Sequence, residues 1–292
     1  MNPKRKRFHR LFSGRKAGVL LGLCGYALFA LFPILWVGMM SFKSHRDIVS
    51  PTPEILFRPT LENYRAILPR SQEGPHETGR MDFLQCFRNS LRITLGALAL
   101  SLAVGVPAAY VLARLSFRGK EDIAFLFLSF RFAPEIAVII PVYLLFKELG
   151  LYNTYLGLIL VYQLITLPLV VWIARGYFEE ISKEVEQAAQ LDGYSWWGIF
   201  TRVALPLVKP GIASTAVLTF IFAWNNFVFG LILGARETFP GTVATLGFIS
   251  YESVLWGQMA AATVITILPP LALSIFIQKH LVRGLTLGAV RG

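Results

Sequence analysis

Long apolar stretches separated by short polar ones run along the whole chain. The stretches are Ala17–Ser41, about Leu84 to Leu115, Ile123–Leu145, Tyr155–Ala174, Gly211–Leu233 and Trp256–Ile277. Each offers about 20 residues, the length a helix needs to cross a hydrocarbon layer roughly 30 Å thick. None alternates apolar and polar positions with period two, so the strands of a β-barrel are excluded. The pattern predicts an all-α polytopic membrane protein with six transmembrane helices. Pro107, Pro134, Pro141, Pro168, Pro269 and Pro270 lie inside these stretches. They predict kinks or breaks, tolerated where neighbouring helices or a cavity satisfy the freed backbone groups. An anchor has no use for broken helices, whereas a gated pathway does.

Two polar interruptions are long. Residues 42–82 hold Pro51, Pro53, Pro59, Pro69 and Pro75 with charges of both signs, which predicts an extracytoplasmic loop of turns and short helices. Residues 179–210, between spans four and five, carry Glu179, Glu180, Glu184, Glu186 and Asp192. Ile181, Val185, Ala188 and Ala189 share one face of a helix there. Gly193 suits the left-handed turn that closes it, and Ser195 can cap a second helix ended by Pro206. The segment is therefore a helix–turn–helix. By spacing alone it is equally an amphipathic helix resting on lipid headgroups.

Composition and charge add direction. Only 15% of the 292 residues are charged, against roughly 25% in soluble domains. The net charge of +11 is concentrated beside spans, in a basic N-terminus (residues 1–16), at Arg114, Arg118 and Lys120, and at Lys279, His280 and Arg283. Lysine and arginine on one side of the spans mark the cytoplasmic side. Both termini and residues 179–210 are then cytoplasmic, and a nucleic-acid partner is not expected. Cys24 and Cys86 offer neither a disulfide framework nor metal spacing, so no metal or cofactor is expected on this chain. A phosphate-binding G-x-x-x-x-G-K-[ST] loop is absent.

The order E-x-A-A-x-x-D-G, an aromatic helix, then L-P-x-x-x-P resembles the EAA loop of ABC-importer permeases. The similarity continues through PTLENY (59–64), NSL (89–91), RFAPEIAVIIPVYLLFKELGLYNT (131–154), FAWNNF (222–227) and WGQMAAA (256–262). It points to the binding-protein-dependent sugar permeases of the maltose-permease type, in their smaller six-span form. The resemblance implies one permease domain over 17–292 with a cytoplasmic coupling helix in 179–210 that docks on an ATPase. Glu186, Ala188, Ala189, Asp192, Gly193, Trp196, Phe200 and Pro206 are its implied coupling residues. Gln187 stands where the family usually has glutamate, and Ser182 where a proline is common. Implied partners are a second related permease in a heterodimer, two ATPase copies that use ATP and magnesium, and an extracytoplasmic binding protein, all with membrane lipid. The tail 283–292 is either a reach toward the ATPase or a free end. The chain itself is expected to be no enzyme.

Ionisable residues inside spans are pathway candidates. Arg131 and Glu135 stand one turn apart on span three, which suits either substrate contact or an internal salt bridge. Trp224, Asn225 and Asn226 combine an aromatic face with amides, as a hydroxylated sugar needs, or as helix–helix hydrogen bonding needs. Arg131 and the basic residues of the outer loop would admit an acidic oligosaccharide such as a uronate or alginate fragment. Glycerol phosphate or a polyol is an alternative cargo. A secondary carrier would need inverted repeats or a charge relay, and neither is visible.

Overall fold

The computed structural model describes the backbone of residues 3–52, 55–68, 81–249 and 254–287, with side chains between 17 and 275. The side chains of the basic N-terminus, parts of the 42–82 loop and the end of the tail lie outside the described residues. All regular elements described are helical, apart from an isolated bridge near residue 254. Among the described residues five helices are long and apolar enough to cross a membrane, and a bent pair makes a sixth if counted as one span.

The chain divides into two compact units. The first comprises residues up to 70 together with 251–265. Helix α1 (Pro3–Ser41) passes through Pro33 unbroken, and the most apolar part of its span has no buried residues. Short helices α2 (His45–Val49) and α3 (Glu62–Ile67) follow. The PTLENY stretch folds back on the end of α1. Buried Asn63 donates to the carbonyls of Ser41 (3.0 Å) and Lys43 (2.7 Å), and the hydroxyls of Ser41 and Tyr64 meet at 2.8 Å. An asparagine buried there is stable because it satisfies backbone carbonyls left open past a helix end.

The second unit comprises residues 71–250 and those from 266 onward. Its frame is α4 (Phe83–Arg114), α7 (Tyr155–Glu179) and α10 (Leu205–Trp224). Between α4 and α7 lie α5 (Lys120–Phe130) and α6 (Glu135–Glu148); between α7 and α10 lie α8 (Lys183–Leu191) and α9 (Trp196–Ile199). Small helices α11 (Val228–Leu233) and α12 (Gly241–Ala244) follow α10. Helix α13 (Trp256–Leu287) contributes its later turns to this unit. Helices α4 and α7 meet closely, with Ser101 Oγ in hydrogen-bond contact with Gln163 Oε1 and Thr166 Oγ1 at 2.6 Å each. Interhelical polar pairs of this kind replace water inside a bilayer.

The prolines differ in whether they break their helices. Pro107, Pro168, Pro210, Pro269 and Pro270 all lie inside continuous helices. Only Pro134 ends one: α5 and α6 meet at 95° across residues 131–134. A residue before proline is driven out of the α region, and proline donates no N–H, so the helix stops there and restarts with Pro134 as the cap of α6. Span three is thus two helices. Span five also shifts. The helix begun at Trp196 does not end at Pro206 but continues to Trp224 through a π turn at Phe200–Ala204, where Leu205 N–H donates to Phe200. A π turn widens the helix and leaves a carbonyl without its usual donor, which accommodates the N–H that Pro206 lacks. Residues 225–227 then break the run expected to reach Leu233.

Candidate functional site

Two features stand at separated places in the second unit: the 179–210 segment, and a cavity at the α5–α6 break.

In the first, α8 closes with a Schellman turn. Gly193 takes φ +84°, its N–H donates to Gln190 (3.0 Å), and Tyr194 N–H donates to Ala189 (3.1 Å). Those two bonds satisfy carbonyls that a helix end leaves open, and glycine enters the left-handed region without a Cβ penalty. Ser195 then caps α9, its Oγ accepting from Gly198 N–H at 3.2 Å. The expected helix–turn–helix is therefore present, with its second arm fused to α10.

Its residues sort by direction. Glu186, Ala189, Ile199 and Phe200 turn inward and are buried. The Phe200 ring lies 5.0 Å from that of Tyr110 on α4 and 6.2 Å from that of Phe178 on α7, a buried aromatic junction of three helices. The Tyr110 hydroxyl is buried there without a hydrogen-bond partner. Gln187, Ala188, Asp192, Gly193, Trp196 and Pro206 face outward. Leu191 is 91% exposed and Trp197 67% exposed, so an apolar surface surrounds the turn. An exposed apolar patch of this kind marks an interaction surface.

Glu186 forms a buried ion pair with Arg114, the last residue of α4. Arg114 Nε donates to Glu186 Oε1 at 2.8 Å, and Nη2 donates to the Ile181 carbonyl at 2.8 Å. Arg114 carried only a charge-side meaning in the sequence. An arginine ending an apolar run was its available signal.

The second feature is a cavity of about 490 Å³ lined by Phe130, Arg131, Phe132, Glu135, Phe222 and Phe229, among others. The 95° break places Arg131 and Glu135 on opposite sides of a corner, and they form no ion pair. Arg131 instead lies over the Phe222 ring, 4.2 Å from its centre. Glu135 accepts from Asn226 Nδ2 at 3.2 and 3.3 Å and lies in the first turn of α6, where the helix dipole favours a carboxylate. Asn226 is buried and held from behind: its Oδ1 accepts from Phe229 N–H at 3.2 Å and its carbonyl accepts from Thr242 Oγ1 at 3.0 Å. Cations over aromatic faces and carboxylate–amide pairs are stable arrangements for polar groups in an apolar surrounding.

Trp224 does not join them. Its side chain is 1% exposed, Nε1 donates to the Thr266 carbonyl (3.0 Å), and its ring stacks on Phe220 and meets Phe87 edge-on. It packs helices together. Asn225 is exposed at the end of α10, and Gln163 and Thr166 belong to the α4–α7 seam.

A second polar cluster holds the opposite end of α4. Asn89 Nδ2 donates to the carbonyls of Glu237 (2.8 Å) and Phe239 (3.1 Å), and Ser90 Oγ accepts from Gly241 N–H at 2.7 Å. Asn153, at φ 56°, donates to Glu237 Oε2 and accepts from Thr238.

An all-helical membrane chain with a capped outward turn at one end and a polar-aromatic cavity within its helices is a transport protein in architecture. Residues 101–287 match the family described as binding-protein-dependent transport system inner membrane component, and the chain belongs to that family. It is 34% identical over 92% of its length to a probable ABC transporter permease of Sinorhizobium fredii, covering 93% of that protein. It is 31% identical to the trehalose/maltose transport system permease of Thermococcus litoralis, over 94% of this chain and 96% of that one. Among solved structures, a bacterial ABC transporter involved in import of the acidic polysaccharide alginate aligns with TM-score 0.72 and 26% identity, covering 94% of this chain and 97% of that one. The MetNI methionine ABC transporter aligns with TM-score 0.59 at 16% identity, over 69% and 95% of the two chains, a likeness of fold. The protein is a multi-pass permease subunit, a transport component whose ATP is hydrolysed by a separate ATPase.

Proposed function

We propose that this chain is a permease subunit of an ATP-driven importer carrying a sugar or oligosaccharide delivered by an extracytoplasmic binding protein. The cavity at the α5–α6 break carries the reading. Phenylalanine rings at 130, 132, 222 and 229 offer flat apolar faces to the C–H side of a sugar ring, and Arg131, Glu135 and Asn226 offer donors and acceptors to hydroxyls. Ligand sites are largely apolar with a few placed polar groups. Ionised residues are costly inside a bilayer and persist there where function requires them. Relatives named for trehalose/maltose, diacetylchitobiose and sulfoquinovosyl glycerol transport support a saccharide.

The outward face around Gly193 docks on the ATPase in this reading. Both termini are then cytoplasmic, with a second related permease completing a heterodimer and two ATPases using ATP and magnesium. Arg131 favours an acidic oligosaccharide, since its guanidinium could meet a uronate carboxylate, and the alginate importer's similarity supports that choice. Uptake by the reconstituted importer, with its binding protein, tests it. Labelled trehalose and an oligouronate are supplied with and without ATP. ATP-dependent accumulation of the oligouronate that Arg131→Gln reduces at least tenfold is the expected result. Equal uptake by wild type and R131Q removes Arg131 from the pathway, and accumulation without ATP refutes an ABC mechanism.

A further inference from the structure

Helix α8 bears the outward patch, and within α8 itself only Glu186 and Ala189 are buried. The turn at 192–195 leads on into α9 and α10, and two further routes join α8 to the helices that precede it. One is the chain through residues 180–182, which is non-helical. The other is Arg114, which grips α8 through Glu186 and the preceding turn through the Ile181 carbonyl. A guanidinium presents its N–H groups in a rigid plane, so both points are held in one orientation. The pair is almost fully enclosed, with side-chain exposures of 4% and 6%. Solvent and salt therefore screen it little.

Arg114 ends a helix that runs unbroken for 32 residues, about 48 Å at 1.5 Å per residue. At its far end Asn89 and Ser90 hold residues 237–241 through three hydrogen bonds. One rigid element is thus pinned by side chains to α8 at one end and to the 237–241 segment at the other.

We infer that Arg114 is the positioning residue through which displacement of α8 reaches α4, and that α4 carries it to residues 237–241. The inference rests on the reading of the 179–210 face as the ATPase contact.

The test uses the whole importer in proteoliposomes with Cys24→Ser and Cys86→Ala, and a nitroxide on Arg236→Cys, an exposed position beside the held segment. The label's spectrum is compared without nucleotide and with ATP and vanadate. In the otherwise unchanged background it changes on trapping. Arg114→Met reduces the change at least fivefold while the ATPase remains bound and hydrolyses ATP within twofold of the background rate. Arg114→Lys, which keeps the charge but loses the two-point fork, falls between. A full spectral change in R114M, or no change in the background, overturns the inference. Should R114M fail to assemble, R114K decides, and a full change there overturns it. Failure of the ATPase to bind the background protein sinks the underlying reading instead, and separates the two.

Discussion

Gly193 is the position where a single substitution most directly separates folding from coupling. Its φ of +84° lies in the left-handed region, and a Cβ built there meets no atom within 4 Å. No contact among the described residues therefore opposes a Cβ there, and the cost is conformational. An L-residue pays about 1–2 kcal/mol for this conformation. With 1.4 kcal/mol per factor of ten, the turn would be displaced roughly five- to thirtyfold toward other shapes. Losing it also releases the hydrogen bonds to Gln190 and Ala189, each contributing about 1 kcal/mol. These local effects leave the helices behind the turn intact. Gly193→Val is expected to insert in the membrane at wild-type levels and to lose ATPase stimulation and ATP-dependent uptake. Gly193→Asn, which tolerates left-handed geometry, is expected to retain most of both, with Gly193→Ala between. The assays are quantitative immunoblotting of membranes, ATPase co-purification and uptake in proteoliposomes. Normal uptake by the valine variant would refute the reasoning. An asparagine variant as inactive as valine would show that strain is not the cause.

Two further predictions address packing. Gly211→Ala places a Cβ 2.5 Å from Cγ of the Tyr177 ring, an overpacking that costs about 1–3 kcal/mol; thermal unfolding in detergent should fall, and Tyr177→Leu in the same chain should restore part of the loss. Trp224→Phe keeps the stack on Phe220 but removes the Nε1 bond to Thr266, worth roughly 1 kcal/mol. The melting temperature should drop while the KM for uptake stays unchanged, and a raised KM would place Trp224 on the pathway after all.

What could be read along the chain was what short-range physics governs. Runs of about 20 apolar residues had to be helices, because a bilayer leaves no other partner for their backbone groups. The Asp192-Gly193-Tyr194-Ser195 order carried its own geometry, since a left-handed glycine and a capping serine act within four residues. Pro134 shows the limit: six prolines looked alike as helix breakers, but only this one stands at a break between helices, and the other five lie inside continuous ones. The tertiary structure alone decided the pairings. Arg131 and Glu135, adjacent on a helical wheel, part at the 95° corner, and Glu135 finds Asn226, 91 residues away. Trp224, chemically suited to a sugar, is consumed by packing against Phe220 and Phe87. Glu186 turns inward to Arg114 across 72 residues, leaving the outward face to Ala188, Leu191, Gly193 and the two tryptophans. A buried charge takes whichever partner the fold brings within reach, because the cost of leaving it unpaired exceeds any local preference.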